Sequence, residues 1–132
     1  MLFRSGQVQM TFATASSVTP HLKSGRLRAL GVSSAKPSVL LPGLTTIAAA
    51  GLPGYESIAW WGLMAPAGVA RPIIAKLNVA VVKSLNATET KERLAAEGAE
   101  VAGNSPAEFG VFLKRETAKW AKVIQTSGIK IE

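Results

Sequence analysis

The sequence predicts an α/β fold, a short mixed or parallel sheet flanked by helices and followed by a long C-terminal helix. Three observations carry this expectation. A strand, a helix and a second strand follow one another between Val8 and Val32. The run Tyr55 to Met64 is almost continuously apolar and reads as a strand buried on much of both faces. Beyond it, apolar residues recur every three or four positions, the period of amphipathic helices.

The opening strand rests on alternation. Val8, Met10 and Phe12 interleave with Gln9 and Thr11, the period-two pattern of a strand with one buried face. The stretch from Ala13 to Gly25 then predicts a short helix, with Ser16 or Ser17 as its N-cap, Pro20 in the tolerated first turn and Gly25 as its stop. Leu27 to Val32 follows as a second strand. Such a unit is the parallel crossover, whose helix covers one sheet face.

Pro37, Pro42, Pro53 and Gly43, Gly51, Gly54 mark a connecting region, with a helical turn or two at Thr45 to Ala50. After the apolar strand, Ile74, Leu77, Val81 and Leu85 define a helix over Arg71 to Leu85, with Pro72 near its start, where a missing N–H is harmless. A further helix begins around Asn86 to Thr88 and closes at Gly98, with an exposed Glu89–Arg93 pair at i and i+4. The last helix is the most sharply written: Ser105-Pro106-Ala107-Glu108 is a capping box with Pro at N1, the apolar stripe runs from Phe109 to Ile124, and Gly128 is the stop.

Composition narrows the chemistry. The 132 residues fit one compact domain, and 48% apolar content is that of a globular chain. No apolar run reaches the roughly 20 residues that span a bilayer. With no cysteine there are no disulfides, thiolate nucleophiles or thiolate metal ligands. All eight acids are Glu and His21 is the single histidine, so neither a Ser-His-Asp arrangement nor a multi-histidine metal site can be assembled in one chain. Neither glycine-rich nucleotide loop pattern occurs. No catalytic residue, metal site or cofactor is expected.

The net charge of +7 is unevenly placed. No acid precedes Glu56, against Arg4, Lys23, Arg26, Arg28 and Lys36, whereas later Glu and Lys/Arg alternate as on solvated helices. This asymmetry favours an anionic ligand or surface near the N-terminal segment, and a plain excess of solubilising lysine and arginine accounts for it as well. A nucleic-acid partner is not expected, because the Trp60-Trp61 pair lies in an apolar strand away from the basic residues. Adjacent strand residues face opposite ways, so one of these tryptophans is core and the other meets a second layer, a cleft or a partner. The candidate site is Ala13, Thr14, Ser16 and Ser17, where a strand end meets a helix start. Ligands of open α/β sheets gather at such places, and helix amides with neighbouring hydroxyls suit a carboxylate. Plain helix capping accounts equally well for Ser16 and Ser17.

Several blocks in order resemble one family. They are Ser24-Gly25-Arg26-Leu27-Arg28-Ala29-Leu30, Ala50-Gly51-Leu52-Pro53-Gly54-Tyr55-Glu56, Trp61-Gly62-Leu63-Met64-Ala65-Pro66-Ala67-Gly68 and Arg93-Leu94-Ala95-Ala96-Glu97-Gly98. The chain is similar to the Bug family, the extracytoplasmic receptors of tripartite tricarboxylate transporters, in its C-terminal part. The resemblance implies a two-lobed, type II periplasmic-binding-protein-like fold that takes small carboxylates between its lobes and hands them to membrane transporter subunits. It places residues 1–34 in the second lobe and 35–54 in a connecting segment, with 55–132 returning toward the first lobe. It also implies that most of the first lobe is missing, together with the early loops that hold the ligand carboxylate. Only the later second-lobe loop is represented, by Phe12-Ala13-Thr14, and where many relatives carry Phe-Asp-Asn or Phe-Asp-Thr this chain has Ala13 and Thr14.

The expected function is therefore that of a truncated, non-enzymatic carboxylate receptor with at most a partial ligand site. Exposed sheet edges and helix faces, those at Arg71 to Leu85 and Ser105 to Ser127 above all, predict self-association. The alternative is a cytoplasmic interaction module or folded remnant that binds no small molecule. The start MLFRSGQVQM does not read as an export signal, so that as written the chain would stay in the cytoplasm, whereas the family's full-length receptors are periplasmic.

Overall fold

A computed structural model of the chain describes residues 7–129. Four helices follow one another in sequence: α1 (Ala15–Lys23), α2 (Arg71–Asn86), α3 (Thr88–Ala96) and α4 (Pro106–Ser127). The residues divide into two units. One holds the chain up to Leu63 and takes it back from Lys91 to Glu100; the other holds Met64–Thr90 and the chain from Val101 onward.

The first unit is organised around a parallel bridge between Val32 and Thr46. The Val32 amide donates to the Thr45 carbonyl at 2.9 Å, and the Ile47 amide to the Val32 carbonyl at 3.0 Å. Both bridge residues are buried. The hydroxyl of Thr46 is also used, accepting from the Ala49 amide at 3.1 Å, so its burial leaves no polar atom stranded. Gly31 lies close beside this bridge: a Cβ there would stand 3.1 Å from the Thr45 carbonyl oxygen, so the bridge would have to give by a few tenths of an ångström. The next segment is tied to it by one bond, from the Ser57 amide to the Ser33 carbonyl at 2.9 Å.

The predicted sheet goes no further. Among the described residues no ladder of paired strands forms, and Val8–Phe12, Leu27–Val32 and Tyr55–Met64 run without one. The reason is combinatorial: periodicity says that a segment is fit to be a strand, but a ladder needs a neighbour at the right place. The expected helical turn at Thr45 to Ala50 is a bridge residue followed by a hydrogen-bonded turn.

α1 begins earlier than expected. Its N-cap is Thr14, in extended conformation (φ −69°, ψ 146°), so Ser16 and Ser17 lie inside the first turn rather than capping it. Pro20 consequently sits within the helix and not at its start. The helix is held nonetheless, with the Thr19 hydroxyl donating to the Ala15 carbonyl at 2.7 Å.

α3 ends in a Schellman motif. The Gly98 amide donates to the Ala95 carbonyl and the Ala99 amide to the Leu94 carbonyl, each at 2.9 Å, with Gly98 at φ +76°. The exposed pair on this helix is Arg93 with Glu97, 3.8 Å apart, and not Glu89 with Arg93 as the spacing suggested. Both pairs satisfy i,i+4; Glu97 stands at the C-terminal end, where backbone freedom lets the carboxylate reach back.

In the second unit α2 packs on α4. The Asn78 side chain on α2 donates to the Asn104 carbonyl just before α4, at 3.0 Å. The capping box of α4 is complete: the Glu108 amide donates to the Ser105 hydroxyl at 3.3 Å, and the Ser105 amide to Glu108 Oε2 at 2.8 Å. Hydrogen bonds to the carboxylate, from the Ser105 amide foremost and then from the Ser105 side chain, hold the Glu108 carboxyl below its ordinary value. Gly128 closes the helix in the left-handed region.

Candidate functional site

The four predicted site residues stand together at the start of α1. Thr14 ends the extended segment and caps the helix, and its hydroxyl lies 3.3 Å from the hydroxyls of both Ser16 and Ser17. The Ser17 hydroxyl donates to the Thr14 carbonyl at 2.8 Å, and the Ser17 amide to the same oxygen at 3.1 Å. Ala13, Thr14, Ser16 and Ser17 are all exposed. The hydroxyls thus hold one another in a tight group while facing solvent. The amides of Ala15 and Ser16 donate to no protein group among the described residues, as expected of the first turn of a helix. These are the donors that an anion would use.

A second segment comes close to this turn. Gly98, at the end of α3, approaches so tightly that a Cβ on it would lie 2.5 Å from the Ser16 amide nitrogen and 3.0 Å from the Ala15 Cβ. Gly98 is therefore needed twice, for its positive φ and for its nearness to the helix start. The sequence pattern identified it as a helix stop, and no sequence signal announced the second role. The neighbouring Glu100 is also fixed, accepting from the Ser38 hydroxyl at 2.7 Å.

A shallow groove of about 370 Å³ lies at the other end of α1, lined by Leu22, Leu27 and Arg28 with Leu40, Leu41 and Leu44. It contains none of the predicted site residues. We place the candidate site at the helix start, because the groove is wide open and its lining offers a single charged side chain.

In the second unit, Glu116 is buried on α4. It accepts from Lys119 Nζ at 2.6 Å and from the Trp120 indole N–H at 3.1 Å. The Lys119 bond is the main reason that its carboxyl is held below the ordinary range, against the opposing effect of burial. The spacing of 116, 119 and 120 is the only sequence signal for this cluster, since i,i+3 and i,i+4 positions share a helix face. Among the described residues no group of three or more His, Cys, Asp or Glu side chains could hold a metal ion, and no helix is long and apolar enough to cross a membrane.

The sequence profile described as the tripartite tricarboxylate transporter family receptor matches residues 2–129. The chain belongs to this family. It is 37% identical over 121 residues to a protein in the tcbD-tcbE intergenic region of a Pseudomonas species, covering 91% of this chain and 36% of that protein. A protein in the clcB-clcD intergenic region of Pseudomonas knackmussii is 34% identical, with 91% of this chain and 72% of that protein covered. BugT of Bordetella pertussis is 32% identical, with 96% and 39% covered.

Solved structures agree. The R. palustris protein Rpa4515, solved with adipate, superimposes with a TM-score of 0.79 at 36% identity, covering 97% of this chain and 43% of that one. The periplasmic binding protein BugD gives a TM-score of 0.71 at 30% identity, with 87% and 39% covered. The chain thus spans well under half the length of most of these receptor-family relatives.

Proposed function

We propose that the chain forms the C-terminal part of a periplasmic receptor that binds a small carboxylate, without catalysis, and presents it to membrane subunits of a tripartite transporter. The observation that carries this reading is the match to the adipate complex, over 97% of the chain and with a TM-score of 0.79. In this reading residues 1–34 belong to the second lobe, 35–54 connect the lobes and 55–132 return toward the first, with the extended segments as strands of a type II periplasmic-binding-protein-like sheet. The partial ligand site is the start of α1. The Ala15 and Ser16 amides and the hydroxyls of Thr14, Ser16 and Ser17 meet one carboxylate of the ligand, aided by the positive end of the helix. Ala13 stands where an acidic side chain would repel such an anion, so its methyl group suits a plain dicarboxylate.

The reading includes self-association. Ile73, Leu77 and Val79 on α2 and Val111 on α4 are exposed, and so are large apolar residues in the first unit.

Adipate tests the ligand part directly. At one hundred times its dissociation constant, a ligand binding only the folded chain adds about 2.7 kcal/mol, enough to raise the melting midpoint by several degrees. A dose-dependent rise with adipate, absent with the corresponding diamide, is the expected result. A cooperative transition that no di- or tricarboxylate displaces rules the site out in this chain.

A further inference from the structure

We infer that the groove at the end of α1 is a second binding site, for a monocarboxylate with an unbranched apolar chain, whose head pairs with Arg28 and whose chain lies along the leucines. It shares no residue with the partial ligand site at the start of α1 and takes a different class of acid.

Two braced walls of the first unit form the groove. One is the last turn of α1 with the segment that leaves it. The Arg26 amide donates to the His21 carbonyl at 2.9 Å and the Leu27 amide to the same oxygen at 3.3 Å, which folds the chain back on the helix end that carries Leu22. The other wall is the turn from Leu40 to Leu44. The Leu40 amide donates to the Ser38 hydroxyl at 3.2 Å, that hydroxyl donates to Glu100 Oε1 at 2.7 Å, and the Leu44 amide donates to the Leu41 carbonyl at 3.4 Å. Val32 and Thr46, a few residues beyond each wall, join them through the parallel bridge. Leu22, Leu27, Leu40, Leu41 and Leu44 line the space and are half-buried, so apolar surface is left to be covered there.

Size and charge select the occupant. A volume of about 370 Å³ falls in the range of small-molecule sites, which pair an apolar lining with a few polar groups. A stable protein–protein interface covers roughly 800 Å² on each partner, far more than a groove of this volume presents. Arg28 is the single lining residue that is not apolar. Among the described residues it forms no ion pair, and no acid precedes Glu56 in the sequence. The exposed Lys23 and Arg26, each next in sequence to a lining leucine, add positive potential. A guanidinium receives a carboxylate through two parallel N–H···O bonds. One cation beside an apolar lining therefore complements one anion on an apolar body. A dicarboxylate would lay its second charge on leucine, and an alkylammonium would meet Arg28 with like charge.

Calorimetric titration of the intact chain with hexanoate, octanoate and decanoate reads the apolar contact. Affinity should rise about two- to fourfold with each added methylene, the upper figure being that of full burial. Arg28→Glu should weaken octanoate at least about tenfold and make octylammonium the tighter ligand, whereas Arg71→Glu on α2, with the same change in net charge, should alter octanoate affinity by no more than about twofold. Should Arg28→Glu lose its helical circular dichroism, Arg28→Gln tests the same contact and should weaken octanoate about tenfold. Affinity that does not depend on chain length overturns the inference. Equal weakening by Arg28→Glu and Arg71→Glu overturns it as well, since net charge alone would then attract the acid. Octanoate binding that is lost in Thr14→Ala and kept in the Arg28 variants places the acid at the start of α1, which overturns this site and leaves the receptor reading in place. Octanoate binding with the expected Arg28 dependence, in a chain that adipate does not stabilise, supports this site and counts against that reading.

Discussion

Thr14 shows how a single residue carries both local structure and the proposed chemistry. It caps α1 through its backbone conformation alone, since its hydroxyl reaches Ser16 and Ser17 instead of a backbone amide. Replacing Thr14→Ala should therefore cost little stability, under about 1 kcal/mol, because a side-chain cap is not lost. It should weaken adipate binding about tenfold, the effect of one hydrogen bond to a charged group; equal adipate-induced shifts in the two proteins would show that the hydroxyl makes no contact. Glu116 makes the opposite case. Glu116→Ala leaves the Trp120 indole N–H and the Lys119 ammonium without their acceptor, and should cost about 1–3 kcal/mol in denaturant unfolding. Glu116→Gln, which keeps an acceptor for Trp120, should recover part of that loss. The sequence showed that the helix glutamates have basic neighbours, and this holds for Glu116. It did not show that this one glutamate is buried, because burial depends on what packs across the helix face.

At the scale of elements, what was legible is what is local. The α4 capping box and the helix stops at Gly98 and Gly128 are each closed by residues within five positions, and the structure has them as read. The start of α1 is legible only to within two or three residues, because Thr14, Ser16 and Ser17 are all acceptable caps and Pro20 fits a first turn as well as the helix interior where it lies. The sheet was legible only as strand-forming segments, since one parallel bridge, Val32 with Thr46, is all that pairs them among the described residues. Two predictions belong here. Gly98→Ala should destabilise the chain by about 2 kcal/mol or more, from the left-handed φ together with the backbone of Ala15 and Ser16 in the way of the new methyl. Its melting midpoint should fall by several degrees, and a fall of less than a degree would mean that α1 yields freely. The pH dependence of α4 follows from its two glutamates. Both carboxyls are held below the ordinary value of 4.5 in the folded chain. A group of this kind stabilises fully above its unfolded pKa and stops doing so as pH falls through the folded one. Thermal stability should accordingly stay level on acidification from neutral pH to about 4.5 in this respect and fall below it, and Glu108→Gln with Glu116→Gln, which removes both titrating groups, should flatten that fall.

For the whole molecule the governing fact is the disproportion between apolar exposure and core. Among the described residues, Val32 is the one apolar side chain that is buried, while Trp61, Leu63 and many others face solvent. The chain spans well under half the length of most of its family relatives. Net charge opposes self-association: each chain brings +7, and no acid precedes Glu56 in the sequence. Salt resolves the two effects. Raising ionic strength from about 0.01 to 0.1 M shortens the screening length from roughly 30 to 10 Å, which removes repulsion between chains and leaves apolar contact untouched. Self-association should therefore tighten with sodium chloride, by severalfold over this range, while adipate binding at the helix start weakens because its attraction is electrostatic. Sedimentation equilibrium and adipate titration at the two salt concentrations read both trends on one preparation. A dimer that loosens with salt would be held by ion pairs, and would place the interface at the interleaved charges of α3 and α4.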